Sequence, residues 1–532
     1  MKKFVVLSLI SFLILAFGAT VYGQEKAPVL EFKASGFIDV ITEYVRNVPN
    51  PGLATTAGGG TWATNSLFNP YRSGGHYMLP GGTLTTAGTV RLDDQAFNNK
   101  MAYVENRGRL KFDAIMGKEM SGTFQFEFDS LRWGERAGTG AQRQQAGHWG
   151  VADRSALELK HMYLTFGVPW IPVPTTLQAG IIPMAIRPGV FLSVDGPGIQ
   201  AAFKVDPATI KLMWAKAGEN RDWAADDSDL YAIEANAKIQ TITVGGYYLL
   251  FNMNTYPLED NLASDAARNS PNYSSNMSWA GLYTDGKLGP VNLNFDFVYD
   301  WGEVRDRRDR AATARAADVK FKGFGARLNV GYPWEKLLFG FTSIYGSGAD
   351  LRKTSASALP GTTAANGTAI SSKAGTYIVP AGTEGSMGES LILTGAGINR
   401  GNTGWEYAAA TTHSAANFGG LWINKLYAGY TVSPQFSTRV EGMYIRDTTK
   451  HGDTHGTTRK SSKLVNDPED EKLVGYEIDW FNTLSIYKNL TFQFGFGYLF
   501  AGKAMDFWDP ITSSNKETKD PWIITTNLTY SF

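Results

Sequence analysis

Six histidines, no cysteine and 50 side chains of each charge sign bound the chemistry open to this 532-residue chain. The missing cysteine excludes disulfide frameworks, thiolate metal sites and a thiol nucleophile. His76, His148, His413, His451 and His455 fall between predicted strands, and only His161 falls within one. His451 and His455 have the spacing that shares one face of a helix, but no helix is predicted there, so they read as solvated loop residues. No nucleophile elbow or other local motif orders the Ser, His and Asp residues. No catalytic residue, metal ligand or cofactor site is therefore expected. Residues 305–310, with Arg315, alternate in sign, which suggests local pairing or an anion-attracting rim. Residues 467–471 form an acidic run suited to a divalent cation but lack a calcium-loop signature. The overall charge balance leaves no basic field for nucleic acid.

The charges that recur at every second position carry a different chemistry, the electrostatic steering of ions. Arg107, Arg109, Lys111 and Asp113 share one face of a segment whose other face is Leu110, Phe112 and Ala114. Gln125, Glu127 and Asp129 oppose Phe124, Phe126 and Phe128. Asn292, Asn294, Asp296 and Asp300 oppose Leu293, Phe295, Phe297, Tyr299 and Trp301. Glu477 and Asp479 form a further acidic row, and Arg439 with Glu441 adds both signs.

Period-two alternation of this kind marks strands with one apolar and one polar face. It predicts about eighteen strands, sixteen being the next even count, over 35–46, 105–115, 120–130, 157–166, 177–184, 198–205, 209–217, 229–239, 241–252, 278–287, 291–301, 319–330, 336–346, 421–432, 435–446, 473–485, 489–501 and 521–532. Pro183 and Pro197 interrupt two of them. Connections after odd-numbered strands are mostly long, with 47–104 and 347–420 the longest. Connections after even-numbered strands are mostly tight, as at Gly289-Pro290 and Ser433-Pro434; Pro-rich 167–176 is the exception. Sorting of this kind is what a transmembrane antiparallel β-barrel shows, with short periplasmic turns and long extracellular loops. The fold class is thus all-β. In lipid only helices and closed barrels bond every backbone group. A barrel of this perimeter is too wide for side chains to fill, so its interior should hold water.

Residues 1–23 read as a signal peptide: Lys2 and Lys3, the apolar run 4–17, then Val21-Tyr22-Gly23. Residues 24–532 form one barrel domain with no spanning helix. A charge facing lipid at mid-membrane costs roughly 2–4 kcal/mol, so the strand charges above should line the lumen and set the field felt by permeating ions. The Gly-, Ala-, Ser- and Thr-rich loops 47–104 and 347–420 are expected to be mobile or laid on the surface. Trp422, Trp480, Trp522, Tyr430 and Tyr530 suit interfacial girdles.

In the last segment Trp522, Ile524, Leu528, Tyr530 and Phe532 share a face, and Phe532 ends the sequence. This resembles the C-terminal signature of bacterial outer-membrane proteins. The resemblance implies that Tyr530 and Phe532 belong to a signal read by the barrel assembly machinery. Residues 157–166, then 177–183 and the Pro188-Gly189 loop, resemble trimeric porins. That likeness implies an integral outer-membrane homotrimer, with membrane lipids and lipopolysaccharide as neighbours and small solutes and ions as cargo. In many porins the third loop constricts the lumen. Here it spans about 185–197 and is short, offering Arg187 and Asp195, while 347–420 is far longer, so either could narrow the pore. The leading expectation is a water-filled channel for passive diffusion of small hydrophilic solutes. A substrate-specific channel, a structural or adhesive surface protein, and a barrel sheath for an electron-transfer partner stand beside it.

Overall fold

The computed structural model describes residues 29–48, 99–133, 157–219, 227–254, 256–257, 269–270, 273–306, 319–348, 350, 373–380, 383, 388–394, 418–454, 456, 458–461, 469–509, 512 and 514–532. The leader read in 1–23, the histidines 76, 148, 413 and 455, and most of the charged run 305–310 lie outside them.

Eighteen antiparallel strands form the wall. They are β1 (Leu30–Val48), β2 (Asn99–Met116), β3 (Met120–Arg132), β4 (Leu157–Gly167), β5 (Thr175–Ile186), β6 (Leu192–Val205), β7 (Ala208–Gly218), β8 (Ser228–Ile239) and β9 (Ile242–Met253). The second half comprises β10 (Tyr273–Leu288), β11 (Val291–Asp306), β12 (Val319–Trp334), β13 (Leu337–Gly346), β14 (Leu421–Ser433), β15 (Phe436–Asp447), β16 (Leu473–Tyr487), β17 (Leu490–Ala501) and β18 (Trp522–Ser531). Each pairs with its neighbours in sequence. β1 also pairs with β18, from Phe37↔Ser531 to Arg46↔Trp522, which closes the ring. Closure leaves the sheet with no first or last edge. Every strand expected from the alternation is present. Both interrupted ones are too, running further than expected, so the third connection shrinks to 187–191.

Two-residue turns at 206–207, 240–241, 289–290, 335–336, 434–435 and 488–489 gather at one end, and the long connections at the other. The strand faces separate as the alternation requires. Ile38, Phe124, Leu164, Leu212, Leu282, Leu426, Ile478 and Tyr530 stand exposed on the outer face. Tyr430 and Trp480 are exposed too, aromatics of the kind that anchor at a lipid–water boundary. Among the described residues no helix is long and apolar enough to cross a membrane. An apolar outer belt on a closed wall is the condition for strands to cross instead.

The inner face is polar toward the tight turns but apolar toward the long connections. Met213, Leu230, Leu249, Phe251, Met277, Trp279, Ile423, Ile445 and Leu499 are buried there in one cluster. That cluster exists because two connections enter the barrel.

Candidate functional site

The first entering segment is the tip of the β5–β6 hairpin. The β4–β5 ladder stops at Met162↔Ile181, and the β6–β7 ladder stops at Gly198↔Ala215. Beyond those points, 182–186 and 192–197 pair only with each other. The bend needs Gly180, whose φ of +136° would strain another residue and whose added Cβ would meet the Met162 carbonyl oxygen at 2.2 Å. Freed from the wall, the tip buries Ile182, Met184, Ile186, Phe191 and Leu192 inside the barrel. Phe191 stacks on the inward-facing Tyr247 with centroids 4.8 Å apart. Arg187, in a left-handed conformation (φ 50°), reaches across to β10 and β11. Its guanidinium lies 4.3 Å over the Tyr283 ring and pairs with both Asp285 and Asp296.

The second is the connection from β13 to β14. Its composition pointed to a mobile or surface-laid loop, and its described part corrects that expectation. Tyr377, Ile378, Val379, Leu391, Ile392, Leu393 and Phe418 are all buried in the same cluster as the inner wall. The average composition hid two apolar triplets, 377–379 and 391–393, which supply the docking surface. Tyr377 packs on Phe418 at 4.7 Å and donates its hydroxyl to the Val190 carbonyl, 2.9 Å away, so the two segments lock together. The approach to β12 is so close that a Cβ on Gly323 would sit 2.2 Å from the Thr376 carbonyl oxygen. Both entering segments, rather than one, occupy the interior.

Three residues expected to line the lumen are covered by this second segment. Asp300 faces inward but is fully buried, accepting N–H bonds from Gly323 (3.1 Å) and Ile378 (3.4 Å). Glu477 accepts from Ser390 Oγ (2.6 Å) and the Ile392 N–H (3.0 Å), and Asp479 from the Leu391 N–H (3.0 Å). These carboxylates serve as backbone-binding anchors and do not face water. Glu389, on the segment itself, binds Lys425 (2.5 Å) and Arg327 (2.7 Å). Burial pushes its carboxyl up, but those two cations outweigh it and hold it below its ordinary value.

The remaining predicted residues cluster into ion networks on the interior side. Glu127 receives Arg107, Arg109 (2.8 Å) and Lys160 (3.3 Å). Asp195 sits on β6 rather than in a loop and receives Lys160 (2.6 Å) and His161 (2.7 Å), which ties the root of the hairpin to β4. Gln125 contacts the other nitrogen of His161 at 2.8 Å. Lys111 pairs with Asp113 at 2.9 Å. Asn294 accepts from Arg327 at 2.5 Å and donates to Asp285. Asn292 lies on the same inward face, half-buried. Arg439 pairs with Glu441 at 2.8 Å. Asp129 belongs to β3, but its side chain lies outside the described residues. Tyr530 and Phe532 stand exposed on the outer face at the tight-turn end, where the backbone of Phe532 exchanges hydrogen bonds with Gly36.

The exposures within these pairs differ by sign. Arg107 and Arg109 are 21% and 28% exposed above a Glu127 that is 1% exposed. Arg439 is 43% exposed above Glu441 at 1%, and Lys111 is 37% exposed beside Asp113 at 20%. Asp285, 35% exposed beside Arg187 at 15%, and Asp195, 19% exposed beside Lys160 at 7%, run the other way. In most pairs the cation therefore meets the solvent and the acid lies beneath it.

Sequence reasoning missed Lys160, Lys211, Glu234, Asp285, Arg327 and Lys425 as interior charges. Lys160 occupies a bulge between Gln125 and Phe126 of the pairing strand, which turns it and His161 inward together. Lys425 was hidden because its inward neighbours Leu421 and Ile423 are apolar where they meet the entering loop. Among the described residues no group of His, Asp and Glu could hold a metal ion.

The fold and the lumen together define a closed transmembrane β-barrel of eighteen strands, with an apolar belt outside and ion networks inside. No family model and no curated protein matches the chain. Among solved structures it is similar to Pseudomonas aeruginosa OccK11 (OpdR), at 9% identity and a TM-score of 0.44 over 96% of this chain and 99% of that one. It is similar to P. aeruginosa OpdQ, at 9% identity and a TM-score of 0.45 over 94% and 97%. A BenF-like porin from Pseudomonas fluorescens Pf-5 gives 10% identity and a TM-score of 0.45 over 94% and 98%.

Proposed function

We propose that the barrel is a narrow, water-filled channel for small hydrophilic solutes, with a modest preference for anions. The observation that carries this reading is the layering of the lumen charges, with Arg107, Arg109, Lys111 and Arg439 presented to solvent and Glu127 and Glu441 beneath them. Fixed charges at a pore wall set the local concentration of mobile ions. The acids still neutralise much of the field, which keeps the preference small. A leader at 1–23, assembly through the terminal strand and association in threes belong to the same reading. Liposomes containing the purified barrel test it. Swelling in isosmotic solutions should admit small monocarboxylates faster than uncharged sugars of equal size. Swelling no faster than protein-free liposomes would sink the channel reading.

A substrate-specific channel is the second reading. It is favoured by the two entering segments, which leave less free cross-section than an empty barrel of this strand number. A swelling rate that saturates with one solute and not with its size-matched analogue would select it.

A further inference from the structure

At the long-connection end of β1, β17 and β18 the outer face carries a groove of about 830 Å³. Its lining includes Arg46, Tyr498, Glu517, Lys519, Asp520 and Trp522. The strand registers place it outside the lumen. Asp39, Ile41, Glu43 and Val45 are the buried inward residues of β1, so Tyr44 and Arg46 point outward. Ile523 and Thr525 are the buried inward residues of β18, so Trp522 and Ile524 point outward with them. Arg46 and Tyr498 are the direct register partners of Trp522 from either side.

The groove has a layered chemistry. Its aromatic lining is Trp522 and Tyr498, and Tyr44 backs Trp522 just beyond the groove with ring centroids 5.1 Å apart. Rings of this type settle where acyl chains give way to headgroups. Asp520 is already committed, accepting the Ala501 N–H at 2.9 Å and the Tyr498 hydroxyl at 3.0 Å. Arg46 and Lys519 are exposed above the rings and form no ion pair among the described residues. One acid, Glu517, is exposed at the rim. Two cations poised just beyond an aromatic boundary fit an anion carried on a lipid better than one free in solution.

We propose that this groove binds the phosphorylated headgroup of an outer-leaflet glycolipid, its phosphate between Arg46 and Lys519 and an acyl chain over Trp522 and Ile524. The proposal rests on the outer face being lipid-exposed and is independent of conduction. Cations near a headgroup layer and charge-assisted bonds to phosphate supply the affinity, while the rings fix the depth.

Native mass spectrometry of the full-length barrel, released from nanodiscs doped with bis-phosphorylated lipid A, reads the site directly. The wild-type chain should retain one lipid A that the Arg46→Gln/Lys519→Gln double variant loses, with an affinity drop of about tenfold or more. Dephosphorylated lipid A should not be retained, and inorganic phosphate should not displace the bound lipid. Glu517→Gln, which removes the opposing charge without touching the cations, should strengthen retention. The proposal is overturned if the double variant retains the lipid as well as wild type does, if the dephosphorylated lipid binds equally, or if inorganic phosphate competes at millimolar levels. If the double variant does not assemble, the Glu517→Gln comparison decides alone, and unchanged or weaker retention there contradicts the site.

Discussion

Arg187 is held on three sides, by two carboxylates and by a ring face at 4.3 Å. Its charge is therefore spent on Asp285 and Asp296 and adds little to the field along the lumen. Arg187→Gln should release two carboxylates, one of them already 35% exposed, and move the reversal potential in a salt gradient toward cations. Truncating one partner of a buried, bonded charge cluster is worth roughly 3–5 kcal/mol, so the hairpin tip should also loosen. An unchanged reversal potential in an assembled Arg187→Gln barrel would show that this triad lies off the ion path. At this scale the sequence was legible where a strand alternates without interruption, as for Arg107, Arg109 and Glu127. It was not legible at Lys160, where a bulge breaks the period, nor at Lys425, where the inward face is apolar because a distant loop packs on it.

Among the elements, the two entering segments decide how much of the barrel is open. Tyr377 joins them, and removing a fully buried aromatic ring costs about 3–5 kcal/mol. Tyr377→Ala should raise single-channel conductance and its noise while the amount of assembled barrel stays near normal; equal conductance would mean that the β13–β14 segment does not bound the path. The connection after β15 offers a second test through pH. Burial, then the neighbouring Asp447, pushes Asp453 up from 3.8 to about 9. A raised acid favours the folded loop fully below its ordinary pKa, and that contribution is lost as pH climbs toward the raised value. Local protection of 448–454 should thus fall between pH 5 and pH 9, after correction for intrinsic exchange, and Asp453→Asn should flatten the profile. An identical profile in the variant would contradict this. That the β13–β14 connection enters the barrel could not be read from its composition, since two three-residue apolar clusters are diluted by many small polar residues. The positions of all the wall strands could, because lipid outside and polar groups inside impose one period on every strand.

For the whole molecule, closure is the governing fact. The ladder between β1 and β18 leaves no strand edge for detergent to open progressively. The folded protein should therefore resist cold SDS and change its gel mobility only after boiling, whereas mobility independent of heating would argue against a closed membrane barrel. The same closure creates an interior whose outer half is packed with apolar side chains and whose charged networks lie on the wall around that packing. If the barrel conducts as proposed, the cations of β2 face the water that ions traverse. Planar-bilayer recording of wild type beside the Arg107→Gln/Arg109→Gln/Lys111→Gln variant, in a potassium chloride gradient, tests it most directly. Wild type should reverse on the anion side of zero and the triple variant nearer the cation side. The difference should shrink as salt rises, because the screening length falls from about 10 Å at 0.1 M to about 3 Å at 1 M. Discrete channels whose reversal potential is the same in both proteins would mean that these cations lie off the ion path.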